Sequence, residues 1–237
     1  MPLKVLSSLA VERALTLHLL PSFEAAEGSA PDVEWNPTKV MMDRIRGGAR
    51  GDVTILIDDS MAELANEGIV DSATITPIAT ARMGFAVAPG APKPDLSNAD
   101  AVRETLLAAR SVAFSQAGAS GQFFVGLLER LGIADEVTAK ASIIPEGFTA
   151  REIVAGRADL AIQQISELMT VDGVDIAGPL PPELQKDTDF SVALFAEASD
   201  PAAGRRFLDH LTTPEAAEAY RKGGLVSRLA EEGNAKA

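Results

Sequence analysis

Four short polar segments in this sequence carry residue types suited to holding something negative. Ser7-Ser8 closes the apolar run Val5-Leu6 and leads into Leu9-Ala10-Val11. Pro37-Thr38-Lys39 follows a second run, Gln116-Ala117-Gly118-Ala119-Ser120-Gly121 a third, and Gln163-Gln164, with Ser166 just beyond, a fourth. Each reads as a strand end at which a helix opens. A helix start offers unpaired N–H groups and about half a positive charge, and hydroxyls and amides add further donors. Taken alone, Ser8 reads as an N-cap residue. In an open α/β sheet, however, ligands bind beyond the carboxyl ends of the strands. Four such ends, two in each half of the chain, predict one site for an oxyanion or carboxylate.

Other chemistries find no support. There is no GxxxxGK[ST] phosphate loop and no GxGxxG after the first strand. Gly118-Ala119-Ser120-Gly121 is not the GxSxG elbow of esterases. His18 and His210 lie among leucines in helical patterns and read as packed or half-exposed helix residues, which weakens Ser-His and His-metal proposals. With no cysteine, thiolate chemistry and Cys-metal sites are excluded. Asp58-Asp59 suits a helix start, and Glu231-Glu232 falls in a polar tail, Glu231–Ala237, that reads as frayed. No metal and no cofactor is implied.

The net charge of −13 over 237 residues argues against nucleic acid and against an anionic membrane surface. It does not argue against a small anion, because a buried cup is governed by local donors. Hydrophobic residues make up 46%, enough for real cores, and with one Trp and one Tyr the packing must be mostly aliphatic. No apolar run approaches the ~20 residues of a membrane span. The first residues lack a basic region, an apolar stretch and a small-residue cleavage site. As written, the chain reads as cytoplasmic, or as periplasmic if a leader has been removed.

The elements that must position these segments alternate between strand and helix, which predicts an α/β fold with mainly parallel sheets. Lys4–Ser7, Asp32–Trp35 and Asp52–Ile57 read as strands, the last as a central parallel one. Helices follow at Leu9–Ala26, with Pro21 kinking it, and at Thr38–Ile45, stopped by Gly47-Gly48. Ser60 with Glu63 reads as a capping box, as does Thr149 with Glu152. Two apolar runs, 73–77 and 83–87, flank Ala79-Thr80-Ala81 and mark a first passage between lobes. Helix 99–109, strand Ser111–Ser115, helix Gly121–Leu131, strand Thr138–Ile143, helix Ala150–Ala155 and strand Leu160–Gln164 make a second unit. Val174–Ala177 reads as a short strand and 178–182 as a loop. Phe190–Ala196 returns the chain, and two helices opened by Asp200-Pro201 and Thr213-Pro214 close it. Lobe 1 is therefore 1–80 with 191–237, and lobe 2 is 81–190.

This order of elements resembles the type II periplasmic binding proteins, in particular the molybdate-binding branch of ABC-transporter solute receptors. The residues carrying the resemblance are Val5-Leu6-Ser7-Ser8-Leu9, Thr38–Ile45 through Gly47-Gly48-Ala49-Arg50-Gly51-Asp52-Val53, the Ser120-Gly121 helix start, and Thr213-Pro214-Glu215-Ala216-Ala217-Glu218-Ala219-Tyr220. The resemblance implies a two-lobed fold with a ligand cleft between the lobes, each lobe a mainly parallel sheet flanked by helices. It implies hinge closure on an oxyanion held by hydroxyls and backbone N–H groups. The ligand positions fall on Ser7 or Ser8, Thr38, Ser120-Gly121 and near Phe148. An ABC transporter permease is the implied partner of an exported form.

Two departures bear on the ligand. Gln163-Gln164 stands where the family has a ligand-binding Tyr, and Lys39 puts a full cation beside Thr38. A carboxylate gains from a cation that a tetrahedral oxyanion does not need, although Lys39 also reads as a solvated first-turn residue. The stretch 163–169 followed by 174–181 resembles an aconitate-isomerase-like subgroup, which implies a cofactor-free allylic proton shift on a small unsaturated polycarboxylate. Such a reaction needs a base, for which Lys39, Glu146 and Glu167 are candidates.

Overall fold

The computed structural model describes residues 2–116 and 118–229, so Ala117 and the predicted tail Glu231–Ala237 lie outside the described residues. Arg82–Asp187 forms one compact unit, and the chain on either side of it forms the other. The chain passes from the flanking unit (unit 1) into the inserted one (unit 2) within strand β4 and returns within β9.

In unit 1, β1 (Lys4–Ser8) lies between β2 (Asp32–Asn36) and β3 (Val53–Ile57), parallel to both. The strand order is β2-β1-β3-β9-β4, where β4 is Thr76–Val87 and β9 is Asp187–Leu194. Strand alternation sends successive apolar side chains to opposite faces. Val5 and Ile55 join Leu15, Phe207 and Tyr220 on one side. Leu6 and Leu56 join Met41, Ile45, Met61 and Leu64 on the other. β3 is central, as expected, but its second neighbour, β9, runs antiparallel. The returning strand enters from the opposite end of the sheet, so a purely parallel arrangement is not available to it. The short strand β10 (Val226–Ser227) pairs antiparallel with Ala79 and Thr80 of β4. Asp52 is a buried carboxylate that ties this unit together, accepting from the N–H groups of Lys4 and Asp200, each at 2.9 Å.

Unit 2 is built on the second half of β4, with β7 (Leu160–Gln164) antiparallel to it. β5 (Val112–Ser115) is parallel to both β7 and β6 (Ser142–Ile144). β8 (Asp175–Pro179) pairs with β4 through a register shift at Phe85/Ala86. One face packs Phe85, Phe114, Phe124, Leu128 and Ile162. The other is lined by Ala86, Ala113, Ala150 and Ala161, whose small side chains let helices lie close to the sheet. Lys140 closes the helix Ala99–Ala108, its Nζ donating to the carbonyls of Leu107 and Ala109 at 2.6 and 2.5 Å.

Several local expectations are corrected. Pro21 does not kink a regular helix: the run over 9–27 contains a π-helical segment, Leu15–Leu19, immediately before the segment that holds Pro21 in its first turn. Proline supplies no N–H to the preceding turn, and the widened turn absorbs that defect. The runs 73–77 and 83–87 are not two strands. Ala73 lies in a 3₁₀ turn capped by Asp71, and Thr76–Val87 is one strand. Thr138 ends a helix, Ala134–Thr138, anchored by buried Val137, and does not start a strand. Gly178 and Pro179 belong to β8, not to a loop. Ser60 is no cap, because the helix begins at Asp58, where two carboxylates suit the N-terminal dipole. The Thr149–Glu152 capping box is also absent. Thr149 Oγ1 donates instead to the Ile162 carbonyl and to Gln163 Oε1. Glu152 accepts from Ser142 Oγ at 2.6 Å and from Arg157 Nε at 2.7 Å. The closing helices are capped as expected, Asp200 accepting from Ala203 N and Thr213 from Ala216 N.

The Arg157 guanidinium holds the Glu152 carboxyl at about 2, below its ordinary 4.5, outweighing the upward push of burial. A carboxylate with a lowered folded-state pKa stabilises the fold above its unfolded value, and that contribution is lost as pH falls through the folded value. Glu152→Gln should therefore lower stability near neutral pH by about 1–3 kcal/mol, with solvent around Arg157 favouring the lower figure. Urea midpoints should show the gap to the unsubstituted protein closing between pH 4.5 and about 2.

Candidate functional site

At the carboxyl end of β1, Ser7 and Ser8 are both buried. Ser7 Oγ donates to the Ser8 carbonyl at 3.2 Å. Ser8 occupies the N-cap position of the helix that follows, yet its side chain makes no capping bond. Its hydroxyl, in a residue 2% exposed, has no hydrogen-bond partner, so the N-cap reading fails for its side chain. Parallel pairing sets Asn36 of β2 opposite Ser8. Thr38 then opens the helix Thr38–Arg46, half-buried, and Lys39 follows it, exposed and without an ion-pair partner among the described residues.

The corresponding edge of unit 2 carries more polar groups than the sequence reading placed there. Ser115, the last residue of β5, is 3% exposed and its hydroxyl is unpartnered. The helix Ala119–Arg130 starts directly over it, with Gly118 at the N-cap. A Cβ on Gly121 would lie 1.6 Å from the Ser115 carbonyl oxygen, and one on Gly118 would lie 2.6 Å from Ser115 Oγ. Glycine at position 121 is a packing requirement, because the clash there is with backbone, and it sets the first turn, including half-buried Ser120, against the strand end.

The two glutamines at the end of β7 divide their work. Gln163 serves the neighbouring loop: its Oε1 accepts from Thr149 N at 2.9 Å, and its Nε2 donates to the Gly147 carbonyl at 3.0 Å. That loop carries exposed Glu146 and buried Phe148, over whose ring the Arg151 guanidinium sits at 5.3 Å. Gln164 is 9% exposed, and its amide has no hydrogen-bond partner among the described residues. Ser166, one turn on and 1% exposed, has an unpartnered hydroxyl. Glu167 lies half-buried in the first turn of Ile165–Leu168.

The structure thus gathers Ser7, Ser8, Thr38 and Lys39 at one edge of unit 1. It gathers Ser115, Ser120, Gly121, Gln163, Gln164 and Ser166 at one edge of unit 2. Ser166 lies in the fourth segment of the sequence reading, whereas Ser115 is a residue that reading took only as the end of a strand. A serine ending an apolar strand gives no sign of whether its hydroxyl will find a partner. A buried hydroxyl without one costs about 1–3 kcal/mol, and such groups in a folded protein call for an explanation. The histidine reading holds for His210, whose Nε2 lies 2.9 Å from Ser22 Oγ and whose ring packs edge-on to Phe23. Among the described residues, no helix is long and apolar enough to cross a membrane.

Two α/β units, each ending its parallel strands in neutral donors beneath helix starts, define a protein built to bind a small solute. The chain belongs to the bacterial extracellular solute-binding protein family, whose model matches residues 3–226. A curated relative, the aconitate isomerase of a Pseudomonas species, is 33% identical over 211 residues, spanning 86% of this chain and 80% of its own length. Among solved structures, the periplasmic molybdate-binding protein of Azotobacter vinelandii superimposes with a TM-score of 0.77 at 20% identity, covering 97% of this chain and 100% of its own. The sulfate-binding protein SubI of Mycobacterium tuberculosis gives 0.72 at 16%, covering 95% and 86%. These likenesses establish a periplasmic-binding-protein fold, which by itself leaves the ligand open.

The Gly121 contact can be tested directly. In an ordinary helix, Gly→Ala stabilises by about 1 kcal/mol. Here the clash with the Ser115 carbonyl should dominate, so Gly121→Ala should lower thermal stability by an amount corresponding to about 1–3 kcal/mol. Gly126→Ala, in the same helix with nothing near its Cβ position, should be neutral or stabilising.

Proposed function

We propose that this chain binds a small anion bearing carboxylates, held by neutral donors at polar strand ends. The observation that carries this reading is the set of three buried serine hydroxyls, Ser8, Ser115 and Ser166, that lack partners among the described residues. A ligand's oxygens would supply them. Ser7, Thr38, Ser120, the N–H groups at Gly121 and the free Gln164 amide would complete the set, with Gln163 holding the Phe148 loop in place. Lys39 favours a carboxylate over a tetrahedral oxyanion, for which neutral donors suffice. Delivery to an ABC transporter is the partnership this reading implies for an exported form, and the family's extracellular character supports it.

A second reading is favoured by the 33% identity to an aconitate isomerase. Here the bound ligand is an unsaturated tricarboxylate, and the protein shifts its allylic proton without a cofactor. Both readings require the same ligand class and differ only in turnover.

Thermal shift with molybdate, sulfate, citrate and cis- and trans-aconitate separates oxyanion from carboxylate. A carboxylate at a hundred times its Kd should stabilise the protein by about 2.7 kcal/mol. Stabilisation by molybdate with none by the carboxylates would sink the proposal. Ser8→Ala and Ser115→Ala should each weaken carboxylate binding about tenfold while leaving the unliganded protein as stable or more so, since each removes an unpaired buried hydroxyl. Lys39→Ala should also weaken carboxylate binding, and unchanged affinity would leave Lys39 as a solvated surface residue.

A further inference from the structure

The binding reading leaves one carboxylate at the edge of unit 1 without a task. Asp58 follows β3 directly and opens the helix Asp58–Asn66. β3 runs parallel to β1, with Ile55 opposite Ser7, so Asp58 leaves the sheet at the edge where Ser8 ends its own strand. Both Asp58 oxygens are held: Ser191 Oγ donates to Oδ1 at 2.6 Å and Arg228 Nη1 to Oδ2 at 2.8 Å. Ser191 belongs to β9, and Arg228 directly follows β10, so two further elements fix the carboxylate. Arg228 is steadied in turn by the Phe190 carbonyl at 3.4 Å and by Asp189, 3.9 Å away, which accepts from Thr80 Oγ1 at 2.5 Å. Despite these bonds the Asp58 side chain is 37% exposed, open to a solute. The strand beside it ends in the buried, unpartnered Ser8 hydroxyl.

We propose that Asp58 is the general base that moves the allylic proton of an unsaturated tricarboxylate. The proposal rests on the isomerase reading above. The Asp58 carboxylate takes a proton from the methylene carbon next to the double bond. The C–H electron pair moves into the allyl system and onto an adjoining carboxylate. Asp58 then returns the proton to the carbon at the far end of that system. The double bond has moved by one position, Asp58 is a carboxylate again, and no electron or co-reactant is consumed. The hydroxyl of Ser8 is a neutral donor suited to the charge that develops on the ligand oxygens. A base works best when its geometry is fixed before the substrate arrives, and Asp58 is held by strands and a cation where Lys39 and Glu146 stand exposed.

The test incubates the full chain with trans-aconitate in heavy water and follows proton NMR. The unsubstituted protein should exchange the methylene and vinylic protons and form the cis isomer. Asp58→Asn should lower that exchange at least about 100-fold while still binding, reported by fluorescence of the single Trp35, which lies opposite Ser7 in the β1–β2 pair. Asp59→Asn, at an exposed neighbour, should leave exchange unchanged. Exchange at the unsubstituted rate in folded Asp58→Asn overturns the assignment. Should that variant not fold, Ser191→Ala decides: it keeps the carboxylate, loses one of its hydrogen bonds, and should slow exchange about tenfold, and an unchanged rate overturns the assignment. Binding with neither exchange nor formation of the cis isomer in the unsubstituted protein overturns the isomerase reading and Asp58's role together, leaving the carboxylate-binding proposal standing.

Discussion

The helix Ala119–Arg130 can begin where it does only because residue 121 has no side chain. Its backbone lies against the Ser115 carbonyl, at a distance no Cβ could tolerate. That contact fixes where the helix's free N–H groups sit relative to the end of β5. It also encloses the Ser115 hydroxyl beneath the first turn, where no protein group answers it. The placement of that helix start and of the Ser115 hydroxyl thus follows from a steric fact about the backbone, with charge as a secondary matter. Gln163 extends the arrangement by pinning the Phe148 loop to the neighbouring strand end.

A protein of net charge −13 could hold an anion only by local means. Hydroxyls, amides and helix starts act at hydrogen-bond range, whereas exposed carboxylates elsewhere are screened beyond about 8–10 Å at ordinary ionic strength. Full charges near the strand ends of unit 1 are few and mostly compensated. Arg228 is bound to Asp58 and approached by Asp189, which leaves Lys39 as a cation without an ion-pair partner among the described residues. Neutral donors grip without dictating net charge, and one cation can bias the choice between ligands.

Much of this was legible in the sequence because it is local. Strand Leu160–Gln164, and strand Lys4–Ser8 to within one residue, read directly from apolar runs ending in polar residues. The caps at Asp200 and Thr213 read from a cap residue followed by proline. The same local logic failed at Ser60 and at Thr149, because their cap-like spacing says nothing of distant partners. Thr149 is claimed by Gln163 and Glu152 by Ser142 and Arg157. Nor could the sequence tell Gln163 from its neighbour Gln164. Strand alternation sends one toward the loop and leaves the other unpartnered. Asp58 read only as a dipole-favoured helix start, since its partners lie 133 and 170 residues further along the chain.

The pairing of β3 with β9 has a consequence for how the chain is made. β3 is an apolar central strand, and one of its two neighbours is encoded beyond the whole of unit 2. During synthesis from the N-terminus, unit 2 has all its own strands before β9 is complete, while β3 waits with one edge open. An open apolar edge is a template for pairing with other chains. The newborn protein is therefore most exposed to aggregation in the interval between the emergence of β3 and that of β9. Inserting one unit within the other lengthens that interval by the time needed to translate Arg82–Asp187.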